Sequence, residues 1–173
     1  MPVKKHGFTI IEVVLVLAIA GLIFLMVFVA LPALQRSQRD TQRRNDMSRV
    51  TTALTNYQTN QGNSSIKLPA NGECTDPDNA FTSSDSACKF IVNYMHASNA
   101  TTNEFKDPDG TTYSMVIDNS TSKTPSSFDH TIYINVGKKC GDNEGTVEDA
   151  SNSISFAVLY KLEGAGIACF DNQ

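Results

Sequence analysis

Residues 61–173 contain no arginine. They carry seven lysines against fifteen acidic residues, a net charge of −8, whereas residues 1–60 carry a net charge of +4. A surface that binds nucleic acid needs clustered Lys and Arg side chains to contact phosphates, so the acidic balance argues against general nucleic-acid binding by residues 61–173. The chain also lacks tryptophan and is rich in Ser, Thr and Asn, which suits a solvated surface outside the cell.

The patterns that signal catalysis or a structural metal are missing too. The sequence has no C-x-x-C pair, no H-E-x-x-H motif and no glycine-rich phosphate loop, and its histidines, His6, His96 and His130, stand apart from any nucleophile pattern. We therefore expect no enzyme activity and no cofactor. Asp107 and Asp109 are weak calcium candidates, but their spacing does not match an EF-hand and a plain turn explains them.

A long uncharged stretch lies near the N-terminus. Val13–Leu34 contains no charged residue in 22 positions, and as a helix it spans roughly 33 Å, enough to cross a bilayer core of about 30 Å. A secretory signal peptide has a shorter apolar region, about 7–15 residues, followed by a cleavage site that is not found here. We expect a retained membrane helix. Glu12 stands at its start, where an acid is costly and normally marks a function.

The sequence GFTIIE at residues 7–12 follows two lysines and leads into this apolar run. It resembles the N-terminus of type IV pilins and of the related type II secretion pseudopilins, in which a prepilin peptidase removes a short basic leader after the glycine and the new N-terminal residue is N-methylated. The resemblance covers roughly residues 4–34. It implies that residues 1–7 are a cleaved leader ending at Gly7, that Phe8 is the mature N-terminus and that Glu12 acts in assembly.

The resemblance also implies a partner for Glu12. Cleavage before Phe8 creates an amine, and in a helical homopolymer the amine of one subunit can lie beside Glu12 of its neighbour, where the two charges offset one another in an apolar medium. The implied partners are other copies of the chain, the prepilin peptidase and N-methyltransferase, and an assembly-platform protein in the membrane. The implied location is the cytoplasmic (inner) membrane as a single-pass protein, and then a filament on the cell surface.

The helical pattern continues past the apolar segment. Residues 35–58 contain no Gly or Pro, and an apolar stripe recurs at spacings of three and four through Met47, Val50, Leu54 and Tyr57. The polar face is expected to carry Arg43, Asn45, Asp46 and Arg49. The sequence therefore predicts a spine with a membrane and assembly half at residues 8–34 and an amphipathic half at residues 35–60. Gly21 and Pro32 predict a bend in the first half.

Residues 61–173 are expected to form a globular head. A loop and a short helix at residues 84–97 come first, then a turn at residues 105–110, and then alternating apolar residues that predict strands at residues 111–118, 131–136, 154–162 and 167–170. The predicted fold is α+β, with the amphipathic half of the helix packed against a small antiparallel sheet.

Four cysteines, all in the expected head, indicate two disulfides with three possible connectivities. They are Cys74, Cys88, Cys140 and Cys169. The predicted pairing is the local one, in which Cys74–Cys88 closes a loop of about 15 residues onto the short helix. Cys140–Cys169 then ties the loop at residues 137–153 to the last strand.

The orientation of the membrane helix is contested within the sequence. Four arginines follow it, at positions 36, 39, 43 and 44, and the positive-inside rule would place that end in the cytoplasm. The cysteines and the leader favour an extracytoplasmic head instead. The leading hypothesis is a structural pilin subunit of a surface filament. The alternatives are a minor pilin or pseudopilin of a secretion or DNA-uptake machine, and a membrane-tethered extracytoplasmic ligand-binding domain.

Overall fold

The computed structural model describes residues 7–60, 73–74, 90, 94–95, 105–118, 122–164 and 166–173. It contains one long N-terminal helix and a small mixed sheet, so the predicted α+β class is confirmed. The chain divides into two compact units, Met1–Gln38 and Arg39–Gln173. The first unit contains the apolar segment, and the second contains the rest of the helix and every described strand.

Helix α1 spans Ile10–Asn60, 51 residues, and ends where the sequence becomes rich in Gly, Asn and Ser. Gly21 and Pro32 both lie inside it and neither ends it. Pro32 supplies no backbone donor and its ring crowds the preceding turn, so a bend at this point stays a prediction.

The second half of α1 buries one face. Met47, Val50 and Leu54 are fully buried and Tyr57 is partly buried, which confirms the predicted stripe. Arg43 is also fully buried, so its predicted place on the polar face is wrong. It lies one helical turn before Met47 and therefore shares the face of the stripe. Its burial requires partners for the charge, and these come from the head.

The chain contains seven described strands. They are β1 (Glu73–Cys74), β2 (Ser114–Asp118), β3 (Thr131–Val136), β4 (Lys138–Cys140), β5 (Val147–Asp149), β6 (Phe156–Lys161) and β7 (Ile167–Asp171). Five of them form one sheet in the order β1-β2-β3-β6-β7, and β4 pairs with β5 as a separate hairpin. Strands β2, β3, β6 and β7 correspond to the four predicted strands. Strand β1 and the β4–β5 hairpin were not predicted.

The prediction of an antiparallel sheet is wrong at one pair, because β2 and β3 run parallel. The other neighbours in the sheet are antiparallel. Parallel neighbours need a crossover connection, here the chain between Asp118 and Thr131. The side chain of Asn135 on β3 holds this crossover: it accepts a hydrogen bond from the Lys123 N–H at 2.8 Å and donates one to the Lys123 carbonyl at 2.9 Å. The buried Asn135 amide thus satisfies the backbone N–H and C=O groups of Lys123, as a neighbouring strand would.

The core of the second unit lies between the buried face of α1 and one face of the sheet. Alternate residues of the strands point into it, as the period of two requires. The strand residues in this cluster are Met115, Ile117, Ile132, Ile134, Phe156, Val158, Tyr160 and Ala168. Phe90 and Met95 are buried in the same cluster and Tyr94 packs against it, while the other residues of the predicted helix at residues 84–97 lie outside the described residues.

A disulfide between Cys140 and Cys169 joins β4 to β7 with a Cα–Cα distance of 5.9 Å, which confirms the predicted pair. The Asp171 carboxylate adds a second link, since it accepts a hydrogen bond from the Cys140 N–H at 2.8 Å. Cys88, and with it the predicted Cys74–Cys88 bridge, lies outside the described residues.

Candidate processing and assembly site

The N-terminal segment changes conformation just before α1. Gly7, Phe8 and Thr9 are not helical, and the helix begins at Ile10. Thr9 caps it: the Thr9 carbonyl accepts a hydrogen bond from the Glu12 N–H at 3.1 Å, and the Thr9 hydroxyl accepts a longer one from the same N–H at 3.4 Å. Such caps satisfy backbone donors that the first helical turn leaves without partners. The Gly7–Phe8 peptide bond is therefore presented outside the helix.

Glu12 occupies the first turn of α1, three residues after the cap. A negative charge there is favourable because the helix dipole is positive at this end. Thr9 and Glu12 also have the spacing of a capping box, a signal in the sequence that was not among the predictions. Within the described part of the chain, no basic side chain lies within ion-pair distance of the Glu12 carboxylate.

The apolar surface around this segment is open. Phe8 is 85% exposed, and among the described residues every large hydrophobic side chain that is exposed lies between Phe8 and Leu34. Contiguous apolar surface on this scale marks a membrane or protein contact. The helix is also long and apolar enough to cross a membrane.

A second cluster of charged side chains lies where α1 packs in the second unit, and we call it the arginine cluster. At its centre, Arg43 binds Asp107 with two hydrogen bonds of 2.7 Å, from Nε to Oδ2 and from Nη2 to Oδ1. The Tyr160 hydroxyl donates to the same Asp107 Oδ2 at 2.9 Å. The Arg43 guanidinium also lies 4.6 Å from the centre of the Phe128 ring. Charge pairing and ring contact together offset the cost of burying the arginine.

The arginine cluster extends to the turn between β6 and β7. Glu163 accepts hydrogen bonds from Arg39 at 2.6 and 2.8 Å and from Arg43 at 3.0 Å. Asp40 accepts one from Arg43 Nη1 at 2.9 Å, and its carboxylate also accepts from the backbone N–H groups of Glu163 and Gly164. Side chains of α1 therefore bind both the Glu163 carboxylate and the backbone N–H groups of this turn.

The pKa values of the cluster follow from these contacts. Burial works against the charge of Arg43, but hydrogen bonds to Asp107, Glu163 and Asp40 exceed it and raise its pKa. Burial raises and the Arg43 hydrogen bonds lower the pKa of Asp107, with a net lowering. Hydrogen bonds from Arg39 and Arg43 lower the pKa of Glu163 to about 2. Arg43, Asp107 and Glu163 are therefore charged at neutral pH.

Comparison with known proteins addresses the N-terminal site directly. Residues 3–28 match the family described as the prokaryotic N-terminal methylation motif. The chain carries a class III signal. This motif is the hallmark of type IV pilins and pseudopilins, so the resemblance of the N-terminal segment that the sequence indicated is confirmed. No curated protein and no solved structure matches the chain.

The matched residues 3–28 include four of the predicted site residues, Gly7, Phe8, Glu12 and Gly21. The structure brings the first three to the start of α1, where Phe8 and Glu12 line one shallow apolar depression. Pro32 lies beyond the motif. The family that carries this motif consists of structural subunits.

The two calcium candidates, Asp107 and Asp109, do not fit a calcium ion. Asp107 and Asp109 do lie close together, and His130 joins them, with the three ligand atoms within 4.8 Å of one another. Calcium takes six to eight oxygen ligands, whereas both oxygens of Asp107 already bind Arg43 and His130 offers only nitrogen. Asp107 is an ion-pair partner in this fold.

The arginine cluster also bears on the orientation problem raised by the sequence. Two of the four arginines after the apolar segment, Arg39 and Arg43, are paired with carboxylates from distant parts of the head. Sequence reasoning missed this, because Asp107 and Glu163 are 64 and 120 residues away from Arg43.

Proposed function

We propose that this chain is a structural subunit of a type IV pilus-like surface filament. Prepilin peptidase cleaves it between Gly7 and Phe8, the Phe8 amine is methylated, and the subunits polymerise through residues 8–34. The chain resides in the cytoplasmic membrane before assembly and on the cell surface afterwards. Its role is structural, and no catalytic step is assigned to it.

One observation carries this proposal: the N-terminal methylation motif includes the start of a helical segment whose large apolar side chains are all exposed between Phe8 and Leu34. A stable fold does not leave this much apolar surface in water. Lipid covers it before assembly, and the same segment of neighbouring subunits covers it in a filament.

Glu12 supplies the selectivity for assembly. Its carboxylate is costly in lipid, and the lysines that precede it leave with the leader. The Phe8 amine of a neighbouring subunit is the cation that cleavage creates. Pairing the two charges across subunits favours the filament over the isolated subunit and sets the axial register.

The processing step is tested by mass spectrometry of the mature N-terminus after co-expression with a prepilin peptidase. We expect a chain that begins with methylated Phe8, and a bulky substitution at Gly7 should prevent cleavage. A mature protein that begins at Met1, or after Leu34, would show that the proposal is wrong.

The assembly step is tested by Glu12→Gln, with Asp142→Asn as the matched control because Asp142 is an exposed acid of the head. We expect Glu12→Gln to insert and to be cleaved, and sheared-filament yield to fall at least tenfold, by analogy with loss of a buried charge partner worth about 3–5 kcal/mol. The control should assemble normally. Normal filament yield from Glu12→Gln would refute the charge-pairing mechanism.

A further inference from the structure

The flank that follows the membrane segment carries an excess of positive charge. Residues 35–49 contain five arginines and two acids, a net charge of +3, while the leader contributes two lysines on the other side. The positive-inside rule counts Lys and Arg close to the ends of the membrane segment. Local charge therefore does not favour an extracytoplasmic head, and something else must hold the head there.

The arginine cluster provides that element. Arg43 is fully buried between Asp107, Asp40 and Glu163, and Arg39 is paired with Glu163. Asp107 and Glu163 belong to the head and reach the arginines only once it has folded. With these two carboxylates counted, the net charge of the flank falls from +3 to +1.

We propose that Asp107 and Glu163 act as an orientation latch, which captures Arg39 and Arg43 after the head has crossed the membrane and prevents the flank from returning. This rests on the proposed function, because it presupposes an extracytoplasmic head. At a membrane potential of about 100 mV, the equilibrium between the two sides of the membrane favours the cytoplasmic side by a factor of about 50 for each free positive charge. A captured arginine must first break its ion pairs before it can return. Arg43 must also leave a fully buried site.

The latch acts through specific pairs and not through the total charge of the head. Acidic residues by themselves contribute little to orientation, so the two carboxylates act by holding the arginines. The exposed acids Asp142 and Glu144 lie in the loop between β4 and β5, and neither forms an ion pair with an arginine among the described residues. Removing them changes the net charge by the same amount as removing the latch carboxylates. They therefore offer a matched control.

The test uses the full chain with a C-terminal epitope, expressed in cells that are converted to spheroplasts and treated with protease. In the parent chain the epitope should be digested. In Asp107→Asn/Glu163→Gln the fraction of chains whose epitope is protected from protease should rise at least tenfold. This is less than the factor of about 50 that each freed charge can supply. In Asp142→Asn/Glu144→Gln it should stay at the level of the parent.

A third variant separates charge from loss of folding. Adding Arg39→Gln and Arg43→Gln to the latch variant removes the cations that draw the flank back, so digestion of the epitope should be restored. If protection persists in this fourfold variant, misfolding and not free charge causes it, and the latch is refuted. If the latch variant and the control behave alike, the latch is also refuted. A protected epitope in the parent chain would overturn the proposed function itself.

Discussion

Replacing Arg43 by methionine is the sharpest test of how the head is held on α1. Methionine keeps much of the packing of the side chain but leaves Asp107, only 2% exposed, without its cation. Removing one partner of a buried ion pair typically costs about 3–5 kcal/mol. Against a total stability of about 5–15 kcal/mol for a domain, this change should bring the head close to unfolding.

Three companion variants make the expected loss specific to the pair. Arg43→Lys keeps the charge but loses the two parallel hydrogen bonds to Asp107, so an intermediate loss is expected. Arg43→Met/Asp107→Asn removes both charges, and the amide can still accept the hydrogen bond from Tyr160, so most of the stability should return. Arg44→Met alters an exposed neighbour and should change stability by less than about 0.5 kcal/mol.

The measurement is urea unfolding of the full chain in detergent, followed by near-ultraviolet circular dichroism of tyrosine because the chain has no tryptophan. With a denaturant slope of about 2 kcal/mol per molar, the midpoint of Arg43→Met should fall by about 2 M. A midpoint within experimental error of the Arg44→Met control would refute the reasoning. So would a double variant no more stable than Arg43→Met, since the cost would then not come from an uncompensated carboxylate.

The pKa values of Asp107 and Glu163 are lowered in the folded chain, so their charged forms stabilise the fold above the usual pKa of a carboxylic acid, about 4. The urea midpoint should therefore fall as the pH drops from about 4.5 toward 2, although Asp46, whose pKa is raised by burial, weakly opposes this change. A midpoint that stays constant below pH 5 would contradict the assignment. Reducing the disulfide between β4 and β7, which closes a 29-residue separation, should cost about 3–4 kcal/mol in urea unfolding, and peptide mapping that recovers a different pairing would disprove the topology. Thr9→Ala removes the hydroxyl that accepts from the Glu12 N–H, so amide exchange in the first turn of α1 should increase through loss of a cap worth about 1 kcal/mol, while Thr9→Ser should not change it.

Much of the head was predictable where a pattern repeats locally. The four strands and the buried stripe through Met47, Val50 and Leu54 follow from periods of two and of three to four residues, which report which side of an element is buried. The parallel pairing of β2 with β3 was not predictable this way, because neighbouring strands have the same alternation whichever way they run. The direction depends on the crossover that Asn135 holds, and one Asn in the sequence carries no sign of it.

By itself, the sequence determined the N-terminal part of this protein, because an apolar run of spanning length and the methylation motif are both formed by residues that are close together in the chain. Gly7, Phe8 and Glu12 are recognisable for this reason. Only the tertiary structure decided the role of Arg43, which reads as one more polar residue on an exposed helix face. Its burial depends on Asp107 and Glu163, 64 and 120 residues away, and electrostatic compensation over such distances exists only after the chain has folded.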